Sequence, residues 1–147
     1  RLGIAPKSLD RVRQRLRRIT KRNRGISLKQ MIAELDAFMA GGGVTDFRHA
    51  HCKGHLQRLD EWIRRKLRCL RLKQCKRPKA IADFLQGLGV PQWRAWMLAL
   101  TGQGRWRMAL SYQATGAMAL AWFKQQGLVP VTGRYLALQT EGNRRGT

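Results

Sequence analysis

Leu56, Leu59, Ile63, Leu67 and Leu70 recur at intervals of three and four, the spacing that lines side chains along one face of an α-helix. Arg58, Arg64, Arg65, Arg68 and Arg71 fill the other sides. The segment therefore reads as one long amphipathic helix, with an apolar stripe and a cationic remainder. Trp62, Cys69 and Leu72 fall off the stripe, which predicts a second contact surface along the same helix.

The same period appears upstream. Leu9, Val12, Leu16 and Ile19 predict a helix over residues 8–21, with Ser8 as N-cap and Asp10 in the first turn, where a negative charge suits the helix dipole. Its other sides carry Arg11, Arg13, Arg15, Arg17, Arg18 and Lys21, and Asn23-Arg24-Gly25 reads as a stop with Gly25 in the left-handed position. Ser27 followed by Gln30 is a capping-box pattern, and Leu28, Met31, Ile32, Leu35, Phe38 and Met39 form the stripe of a helix over 28–40. Gly41-Gly42-Gly43 is expected to end it, because consecutive glycines lose too much backbone entropy in a helix. The third helix is expected to begin near Thr45 or Phe47 and to weaken at Gly54, and Pro78 marks its end or the next helix start.

Beyond Pro78 the basic density falls and four of the five tryptophans appear: Trp93, Trp96, Trp106 and Trp122. Short helices are expected over 81–88 and 92–100, separated by Gly87, Gly89 and Pro91, and a further one over 114–126, stopped by Gly127. Residues 129–133 read as a turn and 141–147 as loose chain. With no internal repeat and no alternation of the strand type, the fold class is all-α. A three-helix bundle with basic outer faces spans 1–78, and a smaller Trp-rich helical extension spans 79–147.

The chain carries 30 Lys plus Arg against 8 Asp plus Glu, a formal charge of +22, which excludes an ordinary neutral metabolic domain. At 44% hydrophobic it holds enough apolar material for a core, which argues against a disordered basic tail. No apolar run approaches the roughly 18 residues that a membrane-spanning helix requires, so no membrane partner is expected. Ten cations fall within residues 1–24 and ten more within 58–79, and faces so nearly of one sign point to a polyanion, RNA ahead of DNA. Three cysteines without a paired spacing argue against a disulfide framework and suit a reducing cytoplasm. The start at Arg1 rather than Met suggests a piece of a longer reading frame.

Enzymatic chemistry has little to stand on. His51 and His55, with His49 and Cys52 nearby, have the spacing of a metal pair, but they lack both the paired cysteines of a structural zinc site and the Glu of HExxH. They read as polar residues near a weakened helix start, and no metal or other cofactor is expected. Asp60 and Glu61 are the only adjacent acids, and they point about 100° apart on a helix rather than converging as two-metal catalysis requires. Their expected role is i,i+4 pairing with Arg64 and Arg65. The later tryptophans are expected in the core, with Trp106, between Arg105 and Arg107, the best candidate to stack on a base.

The runs Arg11-Val12-Arg13-Gln14-Arg15-Leu16-Arg17-Arg18-Ile19-Thr20-Lys21-Arg22-Asn23-Arg24-Gly25, Ile26-Ser27-Leu28, Ala33-Glu34-Leu35 and Leu59-Asp60-Glu61-Trp62-Ile63-Arg64-Arg65-Lys66-Leu67-Arg68 together resemble the maturase-specific region of group II intron reverse transcriptases. Lys73-Gln74-Cys75-Lys76-Arg77-Pro78 and Trp106-Arg107-Met108-Ala109 are similar to it as well. The resemblance implies a helical thumb, domain X, that binds structured intron RNA, promotes its splicing-competent fold and helps hold the template-primer duplex. A following segment assists binding of target DNA in full-length members. It further implies RNA contact by Arg11, Arg13, Arg15, Arg17, Arg18, Lys21, Arg22, Arg24, Arg64, Arg65, Arg68, Arg71, Lys73 and Lys76.

The polymerase palm and its metal-binding aspartates have no counterpart in the chain, so no catalysis is expected of it alone, and a separate polymerase-bearing chain is a conceivable partner. Where family members read like Gly-Trp-Val-Asn-Tyr-Phe, this chain has Gly41-Gly42-Gly43-Val44-Thr45-Asp46-Phe47. The loss of that aromatic pair suggests looser packing between the second and third helices, as in a degenerate remnant of a mobile-element protein or a general binder of DNA and RNA.

Overall fold

The computed structural model describes residues 6–21, 25–43 and 53–133. Helix α1 spans Pro6–Ile19, α2 Leu28–Phe38 and α3 Lys53–Gln74. The later helices are short: α4 Pro78–Gly87, α5 Gln92–Ala99, α6 Arg105–Met108, α7 Tyr112–Ala117 and α8 Leu120–Gln125. Among the described residues there is no strand, as the periodicity predicts, and no helix long and apolar enough to cross a membrane.

The apolar stripes become the core. Val12, Leu16 and Ile19 are buried on α1, and Thr20 closes its last turn by donating Oγ1 to the Leu16 carbonyl at 2.7 Å. Ser27 caps α2 as its pattern predicts, with Oγ accepting the Gln30 N–H at 3.2 Å, and Leu28, Met31, Ile32, Leu35 and Met39 are buried. Gly25 adopts φ +68°, the left-handed turn expected of it. At 22 residues α3 is about 33 Å long. Its predicted stripe is buried throughout, and Cys69 and Leu72 are buried too, so the second contact surface exists.

Several expectations fail for identifiable reasons. Ser8 does not cap α1 but lies within it, because the helix already includes Pro6, whose fixed φ suits a first turn. Asp10 therefore lies beyond the first turn, 4.0 Å from Arg13. The three glycines do not end the second helix; Met39–Gly43 continues it as a π-helix, a wider coil that residues without Cβ enter readily. Gly54 lies inside α3 without breaking it. The predicted helix over 114–126 is split at Met118, whose backbone turns to φ −102°, ψ 61° and frees a carbonyl for another donor. Val131, expected in a turn, begins a helical turn after Pro130. Residues 22–24, 44–52 and 134–147 lie outside the described residues, and with them Arg22, Arg24, His49, His51, Cys52, the start expected for the third helix and the loose tail.

Two compact units account for the packing. One comprises Arg1–Ile63 with Gly127–Thr147, the other Arg64–Gln126, so the boundary falls within α3. In the second unit α4 and α5 pack through Ile81, Ala82, Leu85, Ala95, Leu98 and Ala99, all buried. The outer side of α5 carries large apolar residues. Trp93, expected in the core, is 61% exposed, and Met97 and Leu100 are exposed with it. Cys69 and Cys75 are buried free thiols.

Candidate nucleic-acid interface

The first unit presents its cations to solvent. Arg11, Arg13, Arg15, Arg17 and Arg18 on α1, and Lys21 just after it, are all exposed. At 100° per residue Arg11, Arg15 and Arg18 fall along one flank of the buried stripe, and Arg13 and Arg17 along the other. Among the described residues only Arg13 has an ion-pair partner, Asp10, and both side chains of that pair are exposed. The helix thus carries a dense positive field with almost no internal compensation, the condition under which phosphate neutralisation and counterion release supply affinity.

Arg13 and Arg17 also line a concave cleft with Arg58, Leu59 and Trp62 of α3, about 310 Å³ in volume. Leu59 is buried, Trp62 half-buried, and the arginines are exposed. The next residue on α3, Asp60, is used in another way. It is 6% exposed, and its carboxylate accepts the Val131 N–H at 2.7 Å, the Thr132 N–H at 3.0 Å and the Thr132 hydroxyl at 2.8 Å. Asp60 is therefore a cap on the turn that begins at Val131, rather than the partner expected for Arg64. Its partners lie more than seventy residues away in sequence, so no local pattern signals the role.

The second unit treats its arginines differently. Arg65, Arg68 and Arg71 follow one another at three-residue intervals on α3, and each is seated on an aromatic ring. The Arg65 guanidinium lies 3.8 Å from the centroid of Trp106, and its Nε donates to the Trp106 carbonyl at 3.1 Å. Arg68 lies 5.2 Å from the Phe123 centroid, and its Nε donates at 2.9 Å to the carbonyl freed at Met118. Arg71 lies 4.0 Å from the Phe84 centroid, with Nη1 near Gln74 Oε1 at 3.5 Å and Cys75 Sγ at 3.6 Å.

Arg68 is the extreme of the three. Only 9% exposed, its guanidinium is lowered to a pKa of about 10, by burial first and then by the charge of Arg64. At neutral pH it remains charged, held by the Met118 carbonyl and the face of Phe123. Although named for RNA contact by the resemblance, it sits inside the fold as a strut. Arg64, Arg65, Arg71 and Lys73 are half-buried, and Lys76 is exposed. Trp106, the tryptophan best placed by sequence to stack on a base, has one face already covered by Arg65.

The geometry thus brings Arg11, Arg15 and Arg18 together on one free flank, sets Arg13, Arg17 and Arg58 around a cleft, and withdraws Arg68 from the surface. Among the described residues no group of three or more His, Cys, Asp and Glu side chains is placed to hold a metal ion. His55 is exposed. A family model described as the group II intron, maturase-specific domain matches residues 9–87, more than half of the chain. No curated protein matches it.

Proposed function

The chain belongs to the group II intron maturase-specific family, a non-catalytic region of reverse transcriptases, and on that premise we propose that it binds folded group II intron RNA and assists its splicing. The observation that carries this reading is the exposed cation set of α1, which apart from the Arg13–Asp10 pair has no ion-pair partner among the described residues and is fixed on a helix whose other face is packed. A rigid array of guanidinium groups binds closely spaced phosphates more tightly than spread ones, so it favours compact RNA conformations over open ones. The phosphate contacts fall to Arg11, Arg15, Arg18 and Lys21, joined by Arg64, Lys73 and Lys76. Arg65 adds its Nη groups, which have no protein partner among the described residues. No covalent step is assigned to the chain, whose role is that of a thumb-type RNA-holding domain in the cytoplasm.

Binding of the chain to a structured group II intron RNA, measured across a salt series, tests the proposal. Replacing Arg11, Arg15 and Arg18 together by Gln is expected to weaken binding and to reduce the slope of log affinity against log salt by about 2 to 3. An unchanged slope removes α1 from the interface. Equal competition by duplex DNA of the same length replaces the intron reading with general polyanion binding.

A further inference from the structure

The cleft between Arg13, Arg17, Arg58, Leu59 and Trp62 differs from every other arginine-aromatic grouping described in the chain. Trp106, Phe123, Phe84 and Trp93 each carry a cation over the ring, from Arg65, Arg68, Arg71 and Arg94 respectively. Trp62 has three arginines around it, yet among the described residues no cation and no second ring lies on its face. Three like charges converging on a concavity repel one another, and neither Arg17 nor Arg58 has an ion-pair partner among the described residues. An anion at the rim would relieve that repulsion, and a flat apolar group would cover Leu59 and the indole.

One chemical object offers both. At about 310 Å³ the cleft stands at the lower end of the size of ligand pockets, room for a single nucleotide rather than for a helix or a peptide. Bases within a paired A-form helix are stacked and closed to an indole, whereas a base in a bulge or loop is free to leave the stack. We propose that this cleft takes one unpaired nucleotide of the bound RNA, with its base against Trp62 and Leu59 and its flanking phosphates on Arg13, Arg17 and Arg58. The inference rests on the RNA reading above and deepens it. The free flank of α1 supplies sequence-independent attraction, and the cleft selects RNA that has an extruded base.

Three hairpin RNAs of equal length test this by fluorescence anisotropy with the intact chain: one fully paired, one with a single bulged nucleotide, and one with an abasic residue at the bulge. The bulged hairpin is expected to bind about tenfold more tightly than the paired one, and the abasic hairpin to lose that gain. Trp62→Leu should abolish the preference while retaining binding to the paired hairpin, with helicity checked by circular dichroism. Arg58→Gln, at an exposed position, should lower affinity for the bulged hairpin more than for the paired one. Equal binding of all three hairpins by the native chain overturns the cleft proposal and leaves the RNA reading standing, as does a preference that survives Trp62→Leu. Failure of every hairpin to bind overturns both.

Discussion

Two stretches of this chain look alike as text and differ as chemistry. Residues 11–21 and residues 64–76 are both crowded with Arg and Lys at helical spacing over an apolar stripe. In the first stretch, on α1 and just after it, every one of those side chains is exposed, and a single weak pair with Asp10 is the only compensation among the described residues. Along the second half of α3, Arg65, Arg68 and Arg71 each give their guanidinium to an aromatic ring, and two of them close a backbone carbonyl as well. The lesson is that cation density does not identify a binding surface. Arginine is the one cation whose flat, weakly hydrated head stacks on a ring and still donates in its own plane, so it serves as structure wherever aromatic residues are brought to it.

The contrast is open to attack by substitution, beginning where the effect should be largest. Arg68→Ala removes a packed stem, a stacked guanidinium and the donor to the Met118 carbonyl, so denaturant unfolding should show a loss of about 3 kcal/mol. If stability is unchanged, Arg68 is no strut and the distinction fails at its strongest point. Arg71→Gln loses mainly the contact with Phe84 and should cost about 0.5–1 kcal/mol by the same measurement. Smallest of all, replacing Arg11, Arg15 and Arg18 together by Gln should leave the unfolding midpoint where it was, since all three are exposed and none has a side-chain hydrogen-bond, ion-pair or ring partner among the described residues. A drop in that midpoint would mean that the free flank is holding structure after all.

Much of the architecture was readable before any coordinates. Val12, Leu16 and Ile19 of α1, the α2 stripe apart from the half-buried Phe38, and the whole α3 stripe are buried where their spacing put them, the Ser27 cap forms, and Gly25 takes its left-handed turn. These are local matters, decided by side-chain period, cap chemistry and backbone freedom within a few residues. The misses share the opposite character. Trp93 was expected inside because it is large and apolar, yet it is exposed, and Ala95, Leu98 and Ala99 form the buried side of α5 instead. The expected helix over 114–126 breaks at Met118, where the carbonyl it releases is taken by an arginine fifty residues earlier.

The candidate interface divides along the same line. The excess of positive charge was legible in the sequence, and the cations of α1 were correctly placed on the outer side of an amphipathic helix. Which cations remain available was not legible, because Arg64, Arg65, Arg68 and Arg71 all fall outside the apolar stripe, and no local pattern tells them apart until the rings of Phe84, Trp106 and Phe123 are positioned. Nor does any pattern near Asp60 reveal that its carboxylate caps a turn at Val131 rather than pairing with a neighbouring arginine.

Periodicity and charge therefore determined, without further help, that the chain is helical, that its helices have one apolar side, and that the opposite sides are densely cationic. Tertiary structure alone decided which guanidinium groups face solvent, which are locked on aromatic rings, and which line the cleft with Trp62. The physical reason is range. A helix is specified by interactions over three or four residues, whereas the availability of an arginine depends on rings and carbonyls brought to it from forty or fifty residues away.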